Sequence, residues 1–447
     1  MSKRRVEPAS NALVKQVEQI VMSTPVVDVH THLYDPVFRD LLLWGIDDLL
    51  VYHYLIAEAF RYWDKPYRKF WSVSKTEQAE IIWEELFIKH SPISEACRGV
   101  LTSLYALGLD VKKRDLPALR KWFRAQSVER QVGRCMELAG VGKIYMTNSP
   151  FDDLEQPLWI KGFNRDPRFE AGLRIDPLVL SWPETAKKLA LWNYEVQSEI
   201  PNQKTYDEVR RFLSEWTERI HARYVMISLP PDFEFPTNQI EPQVNASALP
   251  KGSRRTFRRT RPGARTDFST QLLQKAVLPH CREQGLPLAV MPGVKRSVNP
   301  ELKLAGDGVG WTDLTFLENL CVAYPENRFM ATILARENQH EACVLARKFR
   351  NLHIFGCWWF TNVPLLVEEI TRMRFELLGL SFTPQHSDAR VLEQLVYKWQ
   401  HSRRIIAKVL AEKYSALEQT GWRITRAEIE RDVKDLFGGE FERFRAT

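Results

Sequence analysis

The sequence predicts an α/β fold: a (β/α)8 TIM barrel whose first strand is followed by a long helical insertion. Three observations carry that expectation. A β-branched apolar run, VVDV, leads directly into His30 and His32. A stretch of about 100 residues with helical spacing follows it, far longer than an ordinary connection between strand and helix. From residue 139 onward, short apolar runs alternate with amphipathic stretches, the pattern of parallel strands joined by crossover helices.

Taken in order, residues 1–25 hold an N-terminal helix. Ser10 or Asn11 can cap it, and Leu13, Val14, Val17 and Ile20 recur at helical spacing. Pro25 hands over to the first barrel strand, within 26–35. Residues 36–138 form the insertion, with WGIDDLLVYHYLIAEAFRYW, TEQAEIIWEELFIKH and LPALRKWFRAQSVERQVGRCMELA as its helical patterns. The rest of the barrel spans 139–412. Its strand candidates are GKIYMT (142–147), FEAGLRI (169–175), RYVMISL (223–229), LPLAVMP (286–292), RFMATIL (328–334), LHIFGCWW (352–359) and LLGLSF (377–382). With the first strand they make eight, which fits a closed barrel. A helical tail follows over 413–447. An open, doubly wound sheet is the alternative, weakened because no glycine-rich phosphate loop follows the first strand.

Composition narrows the class. Hydrophobic residues at 44% and charged residues at 27% of 447 suit a folded globular chain and exclude a disordered one. No run of about 18 apolar residues spans a membrane, and Glu7, Lys15 and Glu18 interrupt any leader-like segment. The six cysteines show no C-x-x-C pair, so reduced thiols and a cytoplasmic location are expected. The net charge of +7 is compatible with an anionic small-molecule substrate and too diffuse to call for nucleic acid. A basic patch, Lys251 to Arg265, reads as a solvated loop, because only Phe257 interrupts its arginines where a nucleic-acid groove would need stacking aromatics. The role of 254–265, and whether the chain forms a homo-oligomer, are open at this level.

Barrel enzymes carry their chemistry at the C-terminal ends of the strands. The first strand ends in His30 and His32, two residues apart, so alternation along the strand would turn both imidazoles to one point. Neutral imidazole is a common metal ligand, and two on a rigid strand make half of a zinc-type site. In a closed barrel the first and eighth strands are neighbours, which lets Asp388 complete a two-imidazole, one-carboxylate set with an open fourth position. A helix cap is the structural alternative for Asp388, and His386 is a rival ligand. Other strand ends supply Thr147, Asn148, Asp152 and Asp153, then Arg174 and Asp176, then Met291, Lys295 and Arg296, then Trp358, Trp359 and Asn362.

These blocks resemble the uronate isomerases, a branch of the amidohydrolase superfamily. The resemblance rests on VVDVHTHL before a long helical insertion, TNSPFDDLE, LRIDP, GCWWFTN and SDARVLEQLVYKWQHSRRII, and runs in patches from Val26 to Leu410. It implies a barrel of the metal-dependent amidohydrolase type, binding one divalent metal, zinc before others, through His30, His32 and Asp388. It further implies conversion of a hexuronate such as D-glucuronate to the ketose acid D-fructuronate. Arg174, Arg296 and Arg390 are then partners of the sugar acid beside Trp358 and Trp359, and Asp388, His53 and Tyr54 are the groups that move protons. The alternative is a mononuclear amidohydrolase or decarboxylase on the same scaffold. Two-metal hydrolases are disfavoured, since no histidine ends the fifth or sixth strand and no lysine the fourth. A non-catalytic binding protein would have no evident use for His30, His32 and Asp388.

Overall fold

Strand β1 (Val26–Thr31) begins where Pro25 ends the helix Asn11–Ser23, and its valines suit a strand buried on both faces. It pairs in parallel with β2 (Val141–Asn148), Val26 opposite Val141 and Asp28 opposite Ile144. The computed structural model describes residues 11–199, 201–235 and 268–446. In it, β3 (Phe169–Arg174), β4 (Ala222–Leu229), β5 (Leu288–Pro292), β8 (Phe329–Ala331) and β9 (Leu352–Ile354) extend one curled, seven-stranded parallel sheet in that order. The short strands β6 (Val294–Lys295) and β7 (Gly308–Val309) form a separate antiparallel pair just beyond the end of β5.

The helices that cross between strands start and stop on local signals. Asn202 accepts a hydrogen bond from the Thr205 amide and caps Gln203–Ile220, whose buried face includes Val209, Phe212, Leu213 and Trp216. Ser127 caps Val128–Ala139, and Gly140, at φ 65°, ends that helix and leads into β2.

An eighth strand is not formed where LLGLSF predicts one. Helix Pro364–Leu378 runs through the start of that segment, because Val367, Ile370, Thr371, Arg374 and Phe375 bury at helical spacing; Gly379 at φ 62° then ends it. Residues 383–389 instead lie between the two edges of the sheet. The Thr383 amide donates to the Ile354 carbonyl (3.0 Å) and the Gly356 amide to the Thr383 carbonyl (2.9 Å). On the other side, the Asp388 amide donates to the His30 carbonyl (3.2 Å) and the His32 amide to the Ala389 carbonyl (2.8 Å). Pro384 lacks an amide donor and Asp388 has φ 52°, so the stretch cannot run a regular ladder.

Between β1 and β2 the chain builds a second apolar core of its own. Leu49, Leu55, Phe70, Ile82, Leu104 and Phe123, drawn from six helices, pack together over the β1 end of the sheet and meet Val391 there. The sheet interior is filled by Val29, Tyr145, Tyr224, Met226, Met291 and Met330. At its lower end Phe441 inserts from the last helix, and the Tyr145 hydroxyl donates to Glu442 at 2.5 Å. Among the described residues no helix is long and apolar enough to cross a membrane. The basic segment 254–265 lies outside the described residues.

Candidate metal centre and active-site cavity

His30 is buried at 1% exposure, and neither of its ring nitrogens has a hydrogen-bond partner. Its Nε2 lies 3.4 Å from Asp388 Oδ1, and His32 Nε2 lies 3.5 Å from the same oxygen. The two rings meet edge to face at 5.4 Å. The Thr147 hydroxyl shares a 2.9 Å hydrogen bond with His32 Nδ1, which leaves Nε2 turned toward Asp388. Burial, and then the positive surroundings from His30, Arg174, Arg390 and His53, hold His32 well below the ordinary histidine range. A neutral imidazole keeps its lone pair for a ligand.

One ligand atom from each of His30, His32 and Asp388 falls within 4.8 Å of the others. Orphaned, buried nitrogen and carboxylate oxygen atoms converging in this way fit a divalent cation, because leaving them unpaired is otherwise costly. His386, the rival ligand, does not join the group. Its ring packs on His30 at 5.0 Å, its Nε2 lies 3.5 Å from the Thr332 hydroxyl, and Gly356 leaves room for it where any Cβ would collide.

Asp28 holds the Asp388 loop in place. One carboxylate oxygen accepts from the Ser387 amide at 3.0 Å and the other from the Trp399 indole at 2.7 Å. Burial pushes this carboxyl up to about 6 even with those donors.

A cavity of about 110 Å³ opens in front of the three ligands. Arg174, Arg296, Arg390, His53, Trp358 and Trp359 all line it. The three arginines differ in how far their charge is already spent. Arg174 donates from Nε and Nη2 to Asp176 Oδ2 (3.0 and 2.6 Å), and Asp176 is itself held by the Ser228 amide at 2.9 Å. Arg296 pairs with Asp307 at 2.5 Å and is 52% exposed. Arg390 has no carboxylate partner among the described residues. His53 Nε2 and the Trp359 indole N–H are buried and unpaired, leaving two polar groups free for a bound molecule.

Tyr54 does not line the cavity; Tyr52 does. Tyr52 sits at the start of helix His53–Ala59 with an extended backbone, which turns its side chain away from the helical direction of Tyr54. The rings lie 4.9 Å apart, with Tyr54 hydrogen-bonded to Tyr52 from behind. Burial, then nearby Arg390 and Lys398, lowers His53 to about 3, whereas burial raises Tyr54 well above its ordinary range. Both are therefore neutral near pH 7. Met226, Ser228 and Leu304 also line the cavity and escaped sequence reading. The first two end β4 and could have been found from that strand's register. Leu304 comes from the turn Pro300–Gly306, which no periodicity marks.

A parallel α/β sheet with three converging, metal-capable side chains at its C-terminal strand ends defines the class: an α/β fold with a candidate centre for a divalent cation. Comparison with known proteins narrows the class. No protein-family profile matches the chain, and no curated protein does. Among solved structures it is similar to a uronate isomerase from Bacillus halodurans C-125, at 47% identity over 98% of this chain and 97% of that one, with a TM-score of 0.90. A uronate isomerase from Thermotoga maritima shares the fold at 14% identity, 98% of each chain and a TM-score of 0.72. A glucuronate isomerase from Caulobacter crescentus does so at 15% identity, over 100% of this chain and 96% of that one, with a TM-score of 0.65. The chain belongs to the uronate isomerase family.

Proposed function

We propose that this protein is a metal-dependent aldose–ketose isomerase acting on a hexuronate such as D-glucuronate or a closely related sugar acid. The observation that carries the reading is the 47% identity, spread over nearly the whole of both chains, with a uronate isomerase. The donor set of His30, His32 and Asp388 supports it independently.

In the open-chain sugar acid the reaction moves the C2 proton to C1 and the C2 hydroxyl proton to O1, leaving a carbonyl at C2. A divalent cation held by His30, His32 and Asp388, zinc first among candidates, would supply Lewis acidity toward the substrate's oxygens. Arg390, whose guanidinium has no carboxylate partner among the described residues, takes the substrate carboxylate in a bidentate pair. Arg174, fixed by Asp176, adds a second positive charge in a set orientation. The Asp388 carboxylate, one oxygen of which would ligate the cation, takes and returns the migrating proton. His53 is too weakly basic to be a cation at neutral pH, so it serves as a hydrogen-bond partner, and the Tyr52 and Tyr54 phenols remain protonated donors. Trp358 and Trp359 close the side of the cavity against water, which favours return of the proton to the sugar over loss to solvent.

In the same reading, residues 383–389 are the eighth stave of a (β/α)8 barrel and residues 36–138 are an insertion roofing its mouth. The six buried free cysteines suit a reducing, cytoplasmic setting.

The test is a panel of hexuronates and their neutral aldoses in deuterated water, followed by NMR for ketose formation and for exchange at C2. The protein is stripped with chelator and reloaded with single divalent metals. Ketose formed from at least one hexuronate, dependent on metal, is the expected result. Silence across the panel with turnover of an amide or a carboxylated aromatic moves the protein to a hydrolase or decarboxylase.

A further inference from the structure

Lysine is seldom buried, yet Lys398 is 3% exposed near the start of helix Gln394–Glu418. Its ammonium stands 5.2 Å from the centre of the Tyr397 ring on its own helix and also contacts three other segments, two of them in the insertion. It donates to Glu95 Oε1 at 3.1 Å, on helix Glu95–Ala106 of the insertion. It donates to the Asn362 carbonyl at 3.2 Å, at the end of the turn that carries Trp358 and Trp359. It also stands 5.5 Å from the centre of the Tyr54 ring, within reach of a cation–π attraction. Asn362 continues the chain of contacts: its side-chain amide donates to the carbonyls of His386 and Ser387 at 3.3 and 3.0 Å.

We infer that Lys398 is a positioning residue for the isomerase site, tying the inserted helices that carry His53 and Tyr54 to the loop that carries Asp388. The inference rests on the reading of His53 and Asp388 as parts of that site. Burying an ammonium carries a desolvation cost that its pairing only partly offsets, so an apolar side chain would serve the fold as well. What methionine could not supply is a three-way tether. The insertion helices and the turn with Trp358 and Trp359 belong to different apolar cores that meet at Tyr54, and among the described residues they are otherwise joined by side-chain packing such as that of His53 on Trp359. The tether sets the distance between the proton-moving carboxylate and the donors that face it, a distance on which turnover depends steeply.

The experiment is a double substitution, Glu95→Gln with Lys398→Met, which removes both charges and leaves no uncompensated ion in the interior. The expected result is a melting temperature within a few degrees of wild type, kcat reduced about 10-fold or more, and KM changed by less than about 3-fold. A second readout is independent of any substrate. Amide hydrogen exchange over 53–59 and over 385–388 should speed up in the variant while exchange in β2 and β3 stays unchanged. Wild-type kcat and unchanged exchange at both segments would overturn the inference. Should the wild-type protein turn over no hexuronate at all, the function is wrong, and the exchange data alone decide whether the tether exists. If the double variant does not fold, Lys398→Arg is the fallback; restrained exchange at both segments there supports the tether, and exchange indistinguishable from wild type in a Lys398→Gln variant refutes it.

Discussion

The wall carrying His30, His32 and Asp388 is made of strand ends and their backbone hydrogen bonds, whereas the wall carrying His53, Arg296 and Leu304 is made of an inserted helix and a hairpin loop. On the first, each working atom is held by a short local chain: Thr147 on His32, Asp28 on the Ser387–Asp388 loop, and paired backbone amides between residues 383–389 and β1. On the second, the contacts are longer in reach and partly exposed. Trp71 donates to the Glu301 carbonyl at 2.8 Å, Asn299 donates to the Tyr67 hydroxyl at 3.2 Å, and Arg296 spends its charge on Asp307. The contrast separates two kinds of support. Ligand geometry must be held to a fraction of an ångström and is built into the sheet, while the roof covers the cavity with segments that can change without disturbing it.

The largest expected effect breaks the strand-end wall. His30→Ala should lower bound metal from about one divalent ion per chain to near zero by elemental analysis and remove turnover. Asp388→Asn should retain most of the metal, since an amide oxygen still ligates, yet lose turnover because the amide cannot accept the proton. If Asp388→Asn keeps wild-type kcat, the carboxylate is a ligand and nothing more.

Next in size is Arg390. Arg390→Met should raise KM for a hexuronate by about 30-fold or more while leaving a neutral aldose within a few-fold, as expected for losing a charge-assisted pair of about 2 kcal/mol. Equal losses on acid and neutral sugars would show that Arg390 shapes the cavity without reading the carboxylate.

A smaller effect lies on the seam between insertion and sheet, and it is read by pH. Glu393 is wholly buried, accepts from the Gly45 amide and the Gln131 side chain at 3.0 and 2.9 Å, and is pushed by burial to about 7. Glu155, held by Trp159, Asn148, Ser149 and Tyr34, is likewise pushed to about 7. A carboxyl whose folded value is raised holds its proton where the unfolded chain has released it. Stability should therefore fall as pH rises from the ordinary 4.5 toward about 7, and then level off. Glu393→Gln should remove part of that fall, about 1–3 kcal/mol at pH 8 relative to pH 5, read from melting temperatures across the range. A wild-type melting temperature that climbs between pH 5 and 7 contradicts the sign.

The smallest effect sharpens the comparison from the roof. Arg296→Met should change KM for the same hexuronate by less than about 3-fold, because its guanidinium is half exposed and already paired, and such pairs are worth at most about 1 kcal/mol. A loss as large as that of Arg390→Met would mean that the hairpin closes onto the substrate and exchanges Asp307 for it.

Much of the strand-end wall was legible in the linear text. A β-branched run ending in His-x-His marks a strand with two imidazoles at its tip, and an acid in a polar turn before a long amphipathic helix marks Asp388. Both signals are local, and local spacing is what periodicity records. The roof was only half legible. The patterns show helices in 36–138, but nothing in YHY says that Tyr52 faces the cavity and Tyr54 stands behind it; the backbone change at the helix start decides that. The misplaced eighth strand has the same origin, since a short apolar run is equally the buried end of a helix and Leu378 ends one.

The sequence by itself determined the alternation of strands and helices, the imidazole pair and the family likeness, because each is written in residues close together in the chain. Only the tertiary structure decided that His386 stays out of the ligand group, that Arg390 lines the cavity with no carboxylate partner among the described residues, and that Lys398 reaches both Glu95 and Asn362. Those depend on side chains brought together from as far apart as Asp28 and Trp399, and on competition among charges for the same partners. The outcome of that competition is set by distance and burial, neither of which is encoded at any single position.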